Sequence, residues 1–369
     1  MKIVKPSFFG KMLLGKMLFL MVLAVSVPRA SATVTYYVGS CESGSKATIS
    51  DALASTPAPN VIKICPGTYP EQLFITKSVT LEGISSGNSD QVFITVPSGG
   101  LNTCALGEPA QVCVINAGTV DLTNISVDGG GSNPFYGILY FTTSGTLNQL
   151  EVRFQQTGIR LWEKSNTATI ENSNVHNFTA SGIQANDATT GGDASTIKIV
   201  GNTLAATPGA GSDIGVEYGA SVTISNNFVV GPASPTTGTC QLCVGILAFL
   251  PSAGAVSGNT IVGSGINGIQ IGPGAASTAT STMSVTSNTI FDISGDAIRL
   301  ESGVTGVPVE GNTIMQTQYG INFGCNVGNT VNSNTLNAIH SDALANVPSS
   351  VTSNNTYYNV PTLGSGGCS

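Results

Sequence analysis

The sequence predicts an all-β protein, a parallel β-helix (solenoid) with a short capping helix near its N-terminus, on three observations. The first is a recurring pattern of aliphatic, any, small, Asn, small, aliphatic. It reads Ile199-Val-Gly-Asn202-Thr-Leu204, Val256-Ser-Gly-Asn259-Thr-Ile261, Val285-Thr-Ser-Asn288-Thr-Ile290, Val309-Glu-Gly-Asn312-Thr-Ile314 and Val331-Asn-Ser-Asn334-Thr-Leu336. Looser copies surround Asn227 and Asn354. The second is a Gly-aliphatic-x-apolar pattern, as in Gly137-Ile-Leu-Tyr140, Gly158-Ile-Arg-Leu161, Gly182-Ile-Gln-Ala185, Gly215-Val-Glu-Tyr218, Gly245-Ile-Leu-Ala248, Gly268-Ile-Gln-Ile271, Ala297-Ile-Arg-Leu300 and Gly320-Ile-Asn-Phe323. The third is spacing: the asparagines recur at intervals of 20 to 32 residues. Propeller blades need about 40 residues, and helical repeats need a 3.6-residue period that these segments lack. Alternation over such short stretches is strand periodicity with one buried face. Units this small bury a core only by stacking.

The elements follow in chain order. Residues 1–32 read as a secretory leader: Lys2, Lys5, Lys11 and Lys16 precede the apolar run Met17 to Val27, and Ala30-Ser31-Ala32 supplies a small-x-small cleavage site. That run is shorter than the ~20 residues a membrane span needs, so no span is expected and the protein is expected to be secreted, extracellular or periplasmic. Residues 33–369 read as a single domain: an N-terminal cap over 33–60, coils over 61–360 and a tail over 361–369. Within the cap, Ala47-Thr-Ile-Ser-Asp-Ala-Leu-Ala54 reads as a short amphipathic helix with Ile49 and Leu53 on one face. Each recurrent Asn is expected in a turn, itself in the left-handed conformation, with its amide bonded to the next coil. Earlier coils place Ile125, Leu150 and Ser173 in that slot.

The eight cysteines all lie beyond the leader, and an even count in an exported chain reads as disulfides. Nearest-neighbour pairing predicts Cys41–Cys65, Cys104–Cys113, Cys240–Cys243 and Cys325–Cys368. Without Lys2, Lys5, Lys11, Lys16 and Arg29 the net charge falls from −7 to −12. So acidic a chain lacks the basic footprint of a nucleic-acid binder, and no nucleic-acid partner is expected. Neutral glycans, or anionic ones bridged by a cation, fit it better.

The chain resembles the right-handed parallel β-helix proteins of the pectin lyase-like superfamily. Ile62-Lys-Ile-Cys-Pro-Gly67-Thr-Tyr69-Pro-Glu71-Gln-Leu-Phe-Ile75 and Ser78-Val-Thr-Leu-Glu-Gly83 are similar to that group's opening coils, and the repeats extend the likeness over residues 33–369. The resemblance implies a right-handed winding and a helix that plugs the open end. It does not imply one activity, because such folds host lyases, hydrolases, esterases, epimerases and adhesins. The hydrolases' Asn-Thr-Asp, Asp-Asp and Gly-His-Gly motifs are absent, as is the lyases' Arg-x-Pro-x-x-Arg segment.

In the superfamily's hydrolases the Gly-Ile-x strands form the active face. There Asn267, Asp296, Tyr319 and Asp342 precede the buried aliphatic pair and are expected at an exposed groove edge. Asp296 and Asp342, two coils apart, are expected about 10 Å apart, close to the 6.5–9.5 Å of inverting glycosidases. Asp296, Asp342 and Arg299 are therefore the catalytic candidates. Gln270, Tyr319 and Asn322 are the substrate-binding candidates beside them, with Glu301 and His340 flanking. A second patch gathers Arg160, Trp162, Glu163 and Lys164 near Gln184, Asp187, Glu217 and Tyr218, where the only tryptophan offers a sugar-stacking ring. No metal-ligand set is nominated. The cofactor stays open, with Ca2+ the candidate and Asp187, Asp193 and Asp213 its available oxygen donors. His176, in Asn-Val-His-Asn, reads as a turn residue. Two functions follow: an exported protein that binds or processes polysaccharide along one face as a glycoside hydrolase or lyase, or a non-catalytic structural or adhesive surface protein. The sequence assigns no oligomeric state.

Overall fold

The computed structural model describes residues 33–85, 92–132, 134–162, 167–186, 195–217, 221–233, 242–249, 253–272, 282–324 and 328–364. Three parallel sheets wind right-handed around a common core. Sheet 1 contains the Gly-Ile-x strands Thr157–Trp162, Ser181–Asn186, Ser212–Glu217, Val244–Phe249, Asn267–Gly272, Asp296–Leu300 and Tyr319–Asn322. Sheet 2 follows it in each coil and ends at the Asn corner, as in Ser221–Ser225 and Ala253–Ser257. Sheet 3 completes the coil with strands such as Phe228–Val230, Thr260–Val262 and Thr289–Phe291. In two early coils the strands Ala110–Thr123 and Tyr136–Asn148 run through the corner from sheet 1 into sheet 2, with a register shift between Ile115 and Gly118.

Equivalent residues of successive coils stack one above another. On sheet 1 the inward column Ile138, Ile159, Ile183, Ile214, Ile246, Ile269, Ile298 and Ile321 is fully buried. Each such side chain contributes roughly 1.5–3 kcal/mol of apolar burial. The helix Ile49–Leu53 closes the N-terminal end of this core with Ile49 and Ala52, while Leu53 is only partly buried. Its N-terminus is satisfied twice over. Thr48 Oγ1 accepts from Asp51 N–H at 3.0 Å, and the Glu71 carboxylate accepts from Ile49 and Ser50 N–H at 2.9 Å each.

The asparagine corner differs from expectation in its backbone. The left-handed residue is the small one before each Asn: Gly201, Asn226, Gly258, Ser287, Gly311, Ser333 and Asn354 have φ between +51° and +68°. The Asn that follows turns its amide inward. Asn259 is representative: its Nδ2 donates to Ile224 O at 2.9 Å and Asn288 Oδ1 at 3.0 Å, while its Oδ1 accepts from Asn227 N–H at 3.0 Å. Asn202, Asn227, Asn288, Asn312 and Asn334 repeat this pattern. The last rung is Asn355 rather than Asn354, because Asn354 takes the left-handed position. Ser173 begins the ladder, its N–H bonded to Asn202 Oδ1 and its Oγ accepting from Leu150 N–H.

A second correction concerns the Gly-aliphatic register. Ile214, not Val216, stacks on Ile183 and Ile246, so the unit is Asp213-Ile-Gly-Val216 and Asp213 occupies the slot held by Gly182 and Gly245 in adjacent coils. Cys41–Cys65 and Cys104–Cys113 are bonded, with Cα separations of 5.6 and 5.8 Å. The pairings of Cys240, Cys325 and Cys368 lie outside the described residues, as do the leader and residues 365–369 of the tail. No described helix is long and apolar enough to cross a membrane.

Candidate functional site

The outward residues of sheet 1 form three columns. One runs Arg160, Gln184, Gly215, Leu247, Gln270, Arg299, Asn322. The second, at the strand starts, runs Thr157, Ser181, Ser212, Val244, Asn267, Asp296, Tyr319. The third, at the strand ends, contains Phe141, Trp162, Glu217, Phe249 and Gly272. Register alone thus gathers Gln270, Arg299, Asn322, Tyr319 and Asp296 on adjoining coils.

Asp296 lies at the centre of the late-coil cluster. Its Oδ2 faces Arg299 Nη1 at 3.4 Å and accepts from Asn322 Nδ2 at 3.2 Å, while its backbone N–H donates to Asn267 Oδ1 at 3.2 Å. The chain of bonds continues from Asn267 Nδ2 to Gln270 Oε1 at 2.7 Å, and Gln270 Nε2 donates to Glu301. Asn322 Oδ1 in turn accepts from Gly324 N–H and Asn346 Nδ2. Burial pushes the Asp296 carboxyl above its ordinary range, and Arg299 and Asn322 pull it partly back.

The expected exposed edge is not what forms. Asp296 is only 5% exposed, Asn267 3% and Gln270 7%, because polar side chains on adjacent coils bond one another instead of water. Arg299 does project into solvent. Asp342 lies two coils from Asp296 with Tyr319 on the coil between them, and its Oδ1 accepts from Thr362 Oγ1. His340 is an exposed turn residue outside the cluster. Glu301 flanks the candidates in the sequence, and its N–H bonded to Ile271 O sets it beside the coil of Gln270, at the end of the hydrogen-bonded chain.

The early-coil patch has a different character. The Arg160 guanidinium lies 3.6 Å from the Trp162 ring centroid and 5.2 Å from that of Tyr136, and Nη1 donates to Tyr136 OH at 2.5 Å. Trp162 packs beside Phe141, Leu139 and the Cys104–Cys113 bridge, which pins the loop carrying Glu108 over these coils. Arg160 Nε and Trp162 Nε1 are buried donors without a partner. Burial lowers the Arg160 pKa against the pull of Tyr136, Glu217 and Glu108, and burial raises that of Glu217 against the pull of Arg160. Glu163, Lys164, Asp187, Asp193 and Tyr218 lie outside the described residues.

Two further readings change. His176 is on the sheet 3 strand Asn174–Phe178 and not in a turn, with Nε2 3.3 Å from Glu151 Oε1. Glu151 and Asp128 are themselves held by Arg153 at 3.0 and 2.8 Å, so the group is a closed ion-pair cluster. Asp213 is fully buried and cannot offer oxygens to a solvent-borne Ca2+ ion. Among the described residues no cluster of His, Cys, Asp and Glu is placed to hold a metal. A cleft of about 390 Å³ lies elsewhere, between the capping helix and the strand Leu73–Ile75.

These features define a right-handed parallel β-helix protein. The description of a right handed beta helix region matches residues 157–336. Among solved structures the fold is similar to the A-module of Azotobacter vinelandii mannuronan C-5 epimerase AlgE4, at 15% identity and a TM-score of 0.56, covering 86% of this chain and 91% of that one. It is also similar to pectate lyase Pel9A, at 15% identity and a TM-score of 0.50 over 92% of this chain and 82% of that one. A GH136 lacto-N-biosidase from Eubacterium ramulus matches at 11% identity and a TM-score of 0.50, over 90% of this chain and 67% of that one. No curated protein sequence matches the chain.

Proposed function

We propose that this is an exported protein that binds polysaccharide along the outer face of sheet 1 and processes it at Asp296. The observation that carries the reading is the late-coil network, in which a carboxyl with a raised pKa is held between Arg299 and Asn322 and continued by Gln270 to Glu301. A carboxyl whose proton affinity is raised by burial is suited to protonate a leaving sugar oxygen. Arg299, Asn322, Gln270 and Tyr319 supply donors for sugar hydroxyls around it, and Arg160 and Trp162 extend the face about 24 Å along the solenoid at roughly 4.8 Å per coil. The named activities of the epimerase, the lyase and the lacto-N-biosidase support a carbohydrate substrate for a face of this kind.

The test is a degradation screen of residues 33–369 against plant, algal and bacterial polysaccharides, read for new reducing ends and for unsaturated products, with and without Ca2+. The expected result is reducing ends without unsaturation, reduced at least about 100-fold in Asp296→Asn. Calcium-dependent unsaturated product that survives Asp296→Asn would overturn the assignment. A second reading is favoured by one observation: Asp296 is nearly closed off by its own hydrogen bonds. In that reading the network is structural and the protein binds or adheres without turnover, and the screen returns no product with Asp296→Asn lowering the melting temperature alone.

A further inference from the structure

The third column of sheet 1 sets an aromatic ring between two carboxylates already described. Glu217, Phe249 and Gly272 stack on successive coils, and Glu301 follows them, its N–H bonded to Ile271 O. At Gly272 the missing side chain matters. A Cβ there would lie 2.3 Å from Phe249 Cδ1 and 2.9 Å from Glu301 Oε2, so the Phe249 ring rests on the glycine backbone with the Glu301 carboxylate drawn in beside it. Glu217 borders the ring on the preceding coil. Phe249, Glu217 and Glu301 all retain part of their surface in solvent. The arrangement is an aromatic platform with a carboxylate on either side along the solenoid axis.

Charge among the described residues of the face points the same way. Glu108, Glu217, Asp296 and Glu301 face Arg160 and Arg299, and neither guanidinium stands alone: Arg160 is bonded to Tyr136 and stacked on Trp162, and Arg299 is paired with Asp296. The described residues offer no metal-ligand cluster through which a carboxylate sugar could be bridged. A chain of uronates laid on this face would meet carboxylates at close range, which costs affinity in proportion to its charge. Ring hydroxyls, or an ammonium group, would find acceptors on both sides of an apolar ring.

We propose that Glu217, Phe249, Gly272 and Glu301 form a sugar-ring subsite for a hexose without a carboxylate, either uncharged or amine-bearing, so that the face takes neutral or amino-sugar glycans and rejects polyuronates. This rests on the reading of sheet 1 as the glycan-binding face. The test is calorimetric titration at low and high salt with oligosaccharides of four chemistries: glucosamine, N-acetylglucosamine, neutral β-linked glucose and galacturonate. Binding of at least one of the first three is expected, with no galacturonate binding at low salt. Phe249→Ala, and Gly272→Ala, which pushes the ring off its seat, are each expected to weaken binding about tenfold. Glu301→Gln is expected to weaken glucosamine oligomers more than neutral ones. Unchanged melting temperatures of Phe249→Tyr and Glu301→Gln separate lost contacts from lost folding. Galacturonate binding as tight as neutral binding, or neutral binding unaffected by Phe249→Ala and Gly272→Ala, overturns this inference and leaves the wider reading standing. No binding of any glycan overturns both.

Discussion

Arg160 and Arg299 occupy the same column of sheet 1, five coils apart, yet one is half-buried against aromatic rings and the other projects into water. Nothing in Gly158-Ile-Arg-Leu161 distinguishes it from Ala297-Ile-Arg-Leu300. The difference comes from the coils on either side. Tyr136, Phe141 and the loop pinned by Cys104–Cys113 cover the early coils, whereas Gln270 and Asn322 flank the late one. The corners differ in parallel. Late coils close with the Asn ladder, while Ile125 and Leu150 close early corners with apolar side chains. A solenoid repeat therefore sets position and direction, and its neighbours set environment.

The largest expected effect is at the ladder. Asn259→Ala would remove the amide bond to Ile224 O and leave the N–H of Asn227 without its side-chain partner inside the corner, at a cost of about 1–3 kcal/mol. Urea unfolding should show a lower midpoint. An early-coil change from Leu150 to Val should cost only about 1 kcal/mol if the apolar corners are the more tolerant kind.

Asp213 gives the next largest effect. Its carboxyl is fully buried, neither oxygen has a hydrogen-bond partner, and burial pushes its pKa well above the ordinary range. The folded form thus holds its proton more tightly than the unfolded chain does. The stability linked to that proton is fully present below the unfolded pKa and is lost as pH rises through the raised folded value. Melting temperatures of Asp213→Asn should therefore fall less between acid and neutral pH than those of the wild type. Asp213→Gly, which matches Gly182 and Gly245, should be more stable than the wild type at neutral pH. Equal pH slopes in wild type and Asp213→Asn would show that the buried carboxyl does not set the dependence.

The smallest effects compare the two arginines directly. Arg160→Lys loses the planar stack on Trp162 and should cost about 1–2 kcal/mol, whereas Arg299→Lys, at an exposed guanidinium 3.4 Å from Asp296, should stay within about 0.5 kcal/mol. Thermal denaturation of both variants checks the ordering. Equal losses would mean that the aromatic cover adds nothing to the early site.

Much of the fold is readable residue by residue. The Asn and Gly motifs mark strands and corners because each late corner pairs a left-handed residue with a following Asn whose side chain bonds three ways. Two slips show where such reading stops. In Ser212-Asp-Ile-Gly-Val-Glu217 both Ile214 and Val216 point inward, and strand alternation has a period of two, so a slip of two residues preserves the pattern. In Asn354-Asn355 either residue suits the motif, and only the bond to Asn334 selects the second.

The candidate site was legible as a column and not as an environment. Local spacing placed Gln270, Arg299 and Asn322 on one face, since each follows an inward isoleucine. Whether Asp296 would meet water or Asn322 depends on residues 20 to 30 positions away that stacking brings within hydrogen-bond reach. The sequence by itself determined the solenoid, its repeat and which side chains face out, because these follow from alternation and turn chemistry within one coil. The tertiary structure decided burial, pairing and proton affinity, because those belong to columns that exist only once the coils are stacked.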